Sequence, residues 1–169
     1  MGRTACIAGA SGLVGRELLQ KLLHSDTYSR VISLGRRELD IHHEKLEQQL
    51  TNFESIQPLD AAIDDVFCCL GTTIKKAKSK SQMIKVDVTF PLNLAQWGLD
   101  HGAKQYVLIS AMSANANATF FYPRIKGQLE DQLSQLPYES IAILRPSLLL
   151  GERTEFRFGE HAAATFVRA

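Results

Sequence analysis

The stretch TACIAGASGLVG, Thr4 to Gly15, decides the fold. Apolar residues from Arg3 to Ala8 run directly into Gly9, Ala10, Ser11, Gly12, Leu13, Val14 and Gly15, with the glycines spaced G-x-x-G-x-x-G. From Leu13 to His24, Leu and Val then recur at helical spacing. A strand that turns tightly into a helix over such a loop leaves no side chain where a diphosphate approaches, and offers free N–H groups at the helix start. The spacing alone is equally that of a structural tight turn. Its place between the first strand and the first helix is what favours dinucleotide binding.

Working outward, strands and helices alternate. Arg30 to Leu34 reads as a second strand, KLEQQLTNF holds a third, and Asp65 to Leu70 is apolar enough to be buried on both faces. Ser79 to His101 is helical in composition, interrupted near Pro91, with Gly102 as its terminating glycine. Gln105 to Ser110 is the next buried strand, Pro123 to Leu136 a helix, and Ser140 to Leu144 and Ser147 to Leu150 the last apolar pieces. This order predicts an α/β protein with a Rossmann-like, doubly wound parallel sheet, a single domain over residues 1–169.

Bulk properties exclude several classes. With 169 residues, 45% of them hydrophobic, the chain supports one core and not two. A net charge of +1 gives no global footprint for nucleic acid or an anionic membrane, and no apolar run approaches a membrane span. Cys6, Cys68 and Cys69 lie in apolar runs without metal-ligand spacing, and His42 and His43 have no evident third ligand, so no metal is expected. Buried reduced thiols and the lack of a leader predict a cytoplasmic protein.

The site residues follow from the topology. Where a site for NAD(H) usually places an acidic residue after the second strand, this chain has LGRR; Arg36 and Arg37 suit a 2′-phosphate, so NADP(H) is preferred over NAD(H). Cys69, Leu70, Gly71, Thr72 and Thr73 leave the fourth strand at the edge where a cofactor lies. Lys75, Lys76, Lys78 and Lys80 follow; they could attract an anion, although a solvated mobile loop is the ordinary explanation. Asp87 is expected to face the ligand, cap a helix or sit on the surface, and Trp97 to face the core. Ser110, Tyr122 and Lys126 fall on the same edge. Tyr and Lys four residues apart stack on a helix, where the ammonium favours a phenolate, and Ser110 would orient the substrate oxygen. Pro146 is expected either at the nicotinamide end or as a turn residue closing the last strand, while Glu152, Arg153 and Arg157 read as surface charges.

Taken together, GASGLVG, LGRR, CLGTTIKKA, KVDVTFPLNLA, YVLIS, FFYPRIKGQLE and LRPSLLLGER make the chain resemble an atypical short-chain dehydrogenase/reductase, of the NAD(P)H-binding group similar to the Tat-interacting oxidoreductase-like proteins. The resemblance implies NADP(H) bound by the glycine loop, Arg36, Arg37 and CLGTT, and a catalytic Ser110, Tyr122 and Lys126. Three departures stand out. SAMSAN replaces the usual S-S-x-G, leaving Ser113 as a substitute; Pro123 biases Tyr122 out of helical geometry, towards a cap position; and TFVRA follows closely on LLLGER, so the substrate region is expected to be short, with a pocket that is open or completed by a partner.

Two functions follow. One is an oxidoreductase for a small carbonyl or alcohol, with Tyr122 as proton donor, Lys126 lowering its pKa and binding the ribose, and Ser110 polarising the carbonyl. The other is an NADPH-sensing regulatory protein whose output is a protein partner. A sugar-nucleotide epimerase is weaker, for want of an extended substrate domain. The apolar C-terminal third, including LLL and AAATF, makes a homodimer a reasonable expectation.

Overall fold

Alternation within single strands creates the two faces of the sheet. In β1 (Arg3–Ala8), Ala5 and Ile7 join one core cluster while Cys6 and Ala8 join another. The computed structural model describes residues 2–147 and arranges β1, β2 (Tyr28–Gly35), β3 (Leu46–Leu50), β4 (Asp65–Cys68), β5 (Gln105–Ile109) and β6 (Ser140–Leu144) in the order β3-β2-β1-β4-β5-β6, every neighbouring pair parallel. This is the doubly wound Rossmann order. Leu148 to Leu150, Glu152, Arg153, Arg157 and AAATF, on which the last apolar piece, the surface charges and the dimer expectation rest, lie outside the described residues.

Helix α1 (Leu13–Leu23) lays Leu19, Leu22 and Leu23 against Ala5, Ile7 and Val31 on one face. On the other face α4 (Phe90–Asp100) and α5 (Phe121–Leu133) bury Leu94, Trp97, Ile125, Leu129 and Leu133 against Cys6, Ile32, Val66, Tyr106 and Leu108. Trp97 is therefore a core residue, its indole N–H donating to the Gln57 carbonyl at 3.1 Å.

The middle helix is interrupted near Pro91, as expected: it is α3 (Lys80–Ile84), a π-helical turn (Lys85–Thr89) and α4. Pro91 has no N–H for the Asp87 carbonyl and its ring crowds that oxygen; the wider turn relieves both. The far end matches expectation: Gly102, at φ +84°, follows the helix, while Ala103 N–H bonds Gly98 and Gly102 N–H bonds Leu99, a Schellman motif. The lysine-rich stretch is not an irregular loop. It forms α2 (Ile74–Ala77) and α3, capped by the hydroxyls of Thr73 and Ser79.

Leu129 is fully buried between α5 and the sheet. Leu129→Ala is expected to cost about 2–5 kcal/mol, read as a lower urea midpoint with an unchanged slope.

Candidate functional site

β1 and β4 are neighbours, yet the chain leaves them for opposite sides of the sheet, which opens a crevice at their carboxyl ends. Two backbone contacts shape it. Gly9, at φ +86°, lies so close to the next loop that a Cβ there would stand 2.5 Å from the Cys69 carbonyl oxygen, and a Cβ on Gly15 would stand 2.1 Å from the Gly9 carbonyl oxygen. Gly12 caps α1 with no side-chain hydrogen bond; a Cβ on it would meet only the Gly9 carbonyl oxygen, at 3.3 Å. Ala10 is buried, Ser11 and Gly12 are exposed, and Leu13 and Val14 are half-buried. The loop is thus packed beneath and open above, the shape a diphosphate needs at a helix start.

Arg36 and Arg37 are exposed directly after β2, and neither forms an ion pair with a described residue. Beyond them a shallow cleft of about 610 Å³ is lined by Glu38, Ile41, His42, His43, Glu44, Leu46 and Gln48. It lies at the β3 edge, away from the glycine loop, and among the described residues no three metal-ligating side chains converge.

After β4, Cys69 N–H extends the ladder to the Ala8 carbonyl at 2.8 Å, with Leu70 half-buried and Gly71 exposed beyond it. Thr72 N–H donates to Asp87 Oδ2 at 3.0 Å, and the Thr73 hydroxyl is taken up as the cap of α2. Asp87 is fully buried, which corrects the surface and cap alternatives: the π-helical turn aims it inward at the CLGTT loop. Burial raises all three thiols, Cys69 to about 12, so they are protonated and unreactive at neutral pH.

Tyr122, Lys126 and Glu130 recur every four residues along one stripe of α5. Tyr122 is half-buried, and Lys126 is 1% exposed. Pro123 does not push Tyr122 out of the helix. Phe120, with extended backbone, is the cap, so Tyr122 is already helical and Pro123 occupies a first-turn position whose N–H has no intrahelical acceptor. The loop after β5 is held down on α5, where a Cβ on Gly127 would meet Ala116 N at 2.0 Å and Asn115 N–H bonds the Pro123 carbonyl.

Ser110 is buried, and its hydroxyl donates to Glu130 Oε1 at 2.5 Å. Arg145 clasps the same carboxylate, its Nε 3.1 Å and 3.2 Å from the two oxygens. Ser110 has one proton to give and gives it here, leaving only lone pairs for anything else. Ser113 is exposed on the following loop, and the half-buried Pro146 accepts from Met112 N–H at 3.3 Å beside it. The Glu130–Arg145 pair escaped the sequence reading, although continuing the four-residue spacing from Tyr122 and Lys126 leads to Glu130.

Residues 25–166 match the family described as HIM1. The chain is 33% identical over 170 residues to Protein HTATIP2 of Rattus norvegicus, covering 97% of this chain and 70% of that protein. It is 35% identical over 156 residues to Protein FMP52, mitochondrial, of Candida albicans, covering 88% and 68%. Among solved structures, Pen from Bacillus thuringiensis superposes with a TM-score of 0.72 at 15% identity, covering 92% of this chain and 54% of that one. MoeE5 in complex with UDP-glucose and NAD gives 0.68 at 18%, covering 84% and 53%. The chain spans about half the length of these structures, and the likeness shows a Rossmann-like fold. Several FMP52 relatives carry the word mitochondrial in their names, which overturns the cytoplasmic expectation. Reduced thiols mark a reducing environment, not one compartment.

Burial raises the phenols of Tyr28, Tyr106 and Tyr138, so in an alkaline absorbance titration these three are expected to ionise above the ordinary tyrosine range, and unfolding in urea to return them to it. Arg145→Ala strands a buried carboxylate and is expected to lower the urea midpoint; adding Glu130→Gln should recover part of the loss in a double-mutant cycle.

Proposed function

Since the chain belongs to the HIM1 family and has a Rossmann-like fold, we propose that it is an atypical short-chain dehydrogenase/reductase, an NADP(H)-dependent oxidoreductase acting on a small carbonyl or alcohol. One observation carries this: the glycine cradle at the switch point shares its edge of the sheet with the Tyr122–Lys126 stripe. The whole of 1–169 is read as one cofactor-binding domain.

Gly9 to Gly15 hold the diphosphate, the CLGTT backbone runs beside it, and exposed Arg36 and Arg37 take the 2′-phosphate. When bound, the nicotinamide supplies hydride chemistry. Tyr122 gives its proton to the substrate oxygen, and the Lys126 ammonium makes the phenolate left behind less costly. Ser110, its proton held by Glu130, serves as an acceptor for a hydroxyl brought within reach; a donor to the carbonyl then comes from Tyr122 or from Ser113.

That commitment of Ser110 also favours the second reading, an NADPH-sensing regulatory protein without turnover. A partner binding equally with and without NADPH would remove that reading.

Calorimetric titration with NADPH and NADH in parallel tests the cofactor assignment. NADPH is expected to bind more tightly, and Arg36→Ala with Arg37→Ala to weaken NADPH by roughly tenfold or more while leaving NADH unchanged. Tyr122→Phe is expected to keep NADPH binding and lose about a hundredfold or more in turnover. Retained turnover in that variant would exclude Tyr122 as the proton donor.

A further inference from the structure

We propose that the crevice between the loops leaving β4 and β5 takes an amphipathic anion, a carbonyl compound with an apolar body and a carboxylate or phosphate group. The proposal rests on the assignment of Tyr122 and its edge as the substrate side. Residues 70–84 follow β4 and residues 110–129 follow the adjacent β5, and together they hold Lys75, Lys76, Lys78, Lys80, Arg124 and Lys126 but no Asp or Glu. The chain as a whole carries 19 Lys and Arg against 18 Asp and Glu, so this edge is a segregation of charge and not a sample of the composition.

Among the described residues no carboxylate forms an ion pair with Lys75, Lys78 or Lys80. Asp87 accepts from Thr72 N–H beneath the loop, and Glu130 is engaged by Ser110 and Arg145. Arg124 is spent on the carbonyls of Ala118 and Thr119. Lys75, Lys78 and Lys80 are exposed, and the Lys80 ammonium lies 5.3 Å from the centre of the Phe121 ring, one residue before Tyr122. The two segments are therefore in contact at the start of α5, and the exposed cations come from the first of them.

Apolar groups are exposed on the same two segments. Ile74 (53%), Met112 (66%) and Phe120 (79%) are among the most exposed large hydrophobic side chains of the described residues. Bare apolar surface beside the exposed Lys75, Lys78 and Lys80 suits neither a neutral sugar nor a neutral hydrocarbon. It suits a ligand that is apolar along its length and anionic at one end, which the field of the crevice would also steer inward.

Calorimetric titration of the protein, free and loaded with NADPH, with decanoate, decanamide and acetate tests this. Decanoate is expected to bind about tenfold more tightly than either of the others, with its advantage over decanamide shrinking as salt is raised. In Lys75→Gln/Lys78→Gln/Lys80→Gln, decanoate should weaken about tenfold, from three modest charge contributions, while decanamide and NADPH are unchanged. Equal binding of decanoate and decanamide, unaltered decanoate binding in the triple variant, or binding of neither would each overturn the proposal. So would sedimentation with anionic phospholipid vesicles that decanoate fails to displace, which would assign the face to a lipid surface. The NADPH isotherm judges the cofactor reading separately, because decanoate is titrated with and without it.

Discussion

The backbone of Gly9 rests on the backbone of Cys69, with no room for even one carbon between them. That contact sits where the strand order reverses, and it fixes the carboxyl edge. The glycine loop and the loop after β4 start from a shared point, so neither can shift without the other. From there the CLGTT loop is pinned by Asp87, which the π-helical turn holds in place, and that turn leads directly into α4 on the core. A single close approach thus ties the glycine loop to the packing of the far helix layer.

The two edges of the sheet are built on opposite principles. At the amino edge Arg3 reaches Asp65 with Nε at 2.9 Å and a second nitrogen at 2.6 Å, and the Tyr28 hydroxyl donates to the same carboxylate at 2.9 Å. Asp65 is buried, and the three residues link β1, β2 and β4 in a network with its charges matched. At the carboxyl edge Lys75, Lys78 and Lys80 are exposed and pair with no carboxylate among the described residues, and the backbone is left open above Gly12. Matched charge closes a surface; unmatched charge over an open backbone leaves a place for a ligand.

On the substrate side, the most consequential bond is the one from Ser110 to Glu130. It turns a residue expected to polarise a carbonyl into one that can only accept. The clamp is completed by Arg145 from the end of β6, so the hydrogen-bonding character of Ser110 is set by three different elements. Tyr122 and Lys126 lie one turn apart on α5, with Lys126 sealed from solvent by the same packing that holds α5 to the sheet.

Local features were legible because they are encoded by neighbours in sequence. The glycine spacing, the period of β1 and α1, the terminating Gly102 and the four-residue step from Tyr122 to Lys126 each depend on contacts within a turn or two, and each stands in the structure where the residues placed it. The strand alternation with intervening helices was enough for the parallel sheet, since parallel strands need crossovers. What only the tertiary structure decided involves partners far apart in the chain. Ser110 meets Glu130 twenty residues on and Glu130 meets Arg145 fifteen beyond that, Thr72 meets Asp87 across a helix start, and Gly9 meets Cys69 across the sheet. The donor or acceptor character of a buried hydroxyl depends on which of these groups arrives beside it, and no periodicity carries that information. The cytoplasmic expectation failed for a related reason, as thiol burial reports a local environment that many compartments share.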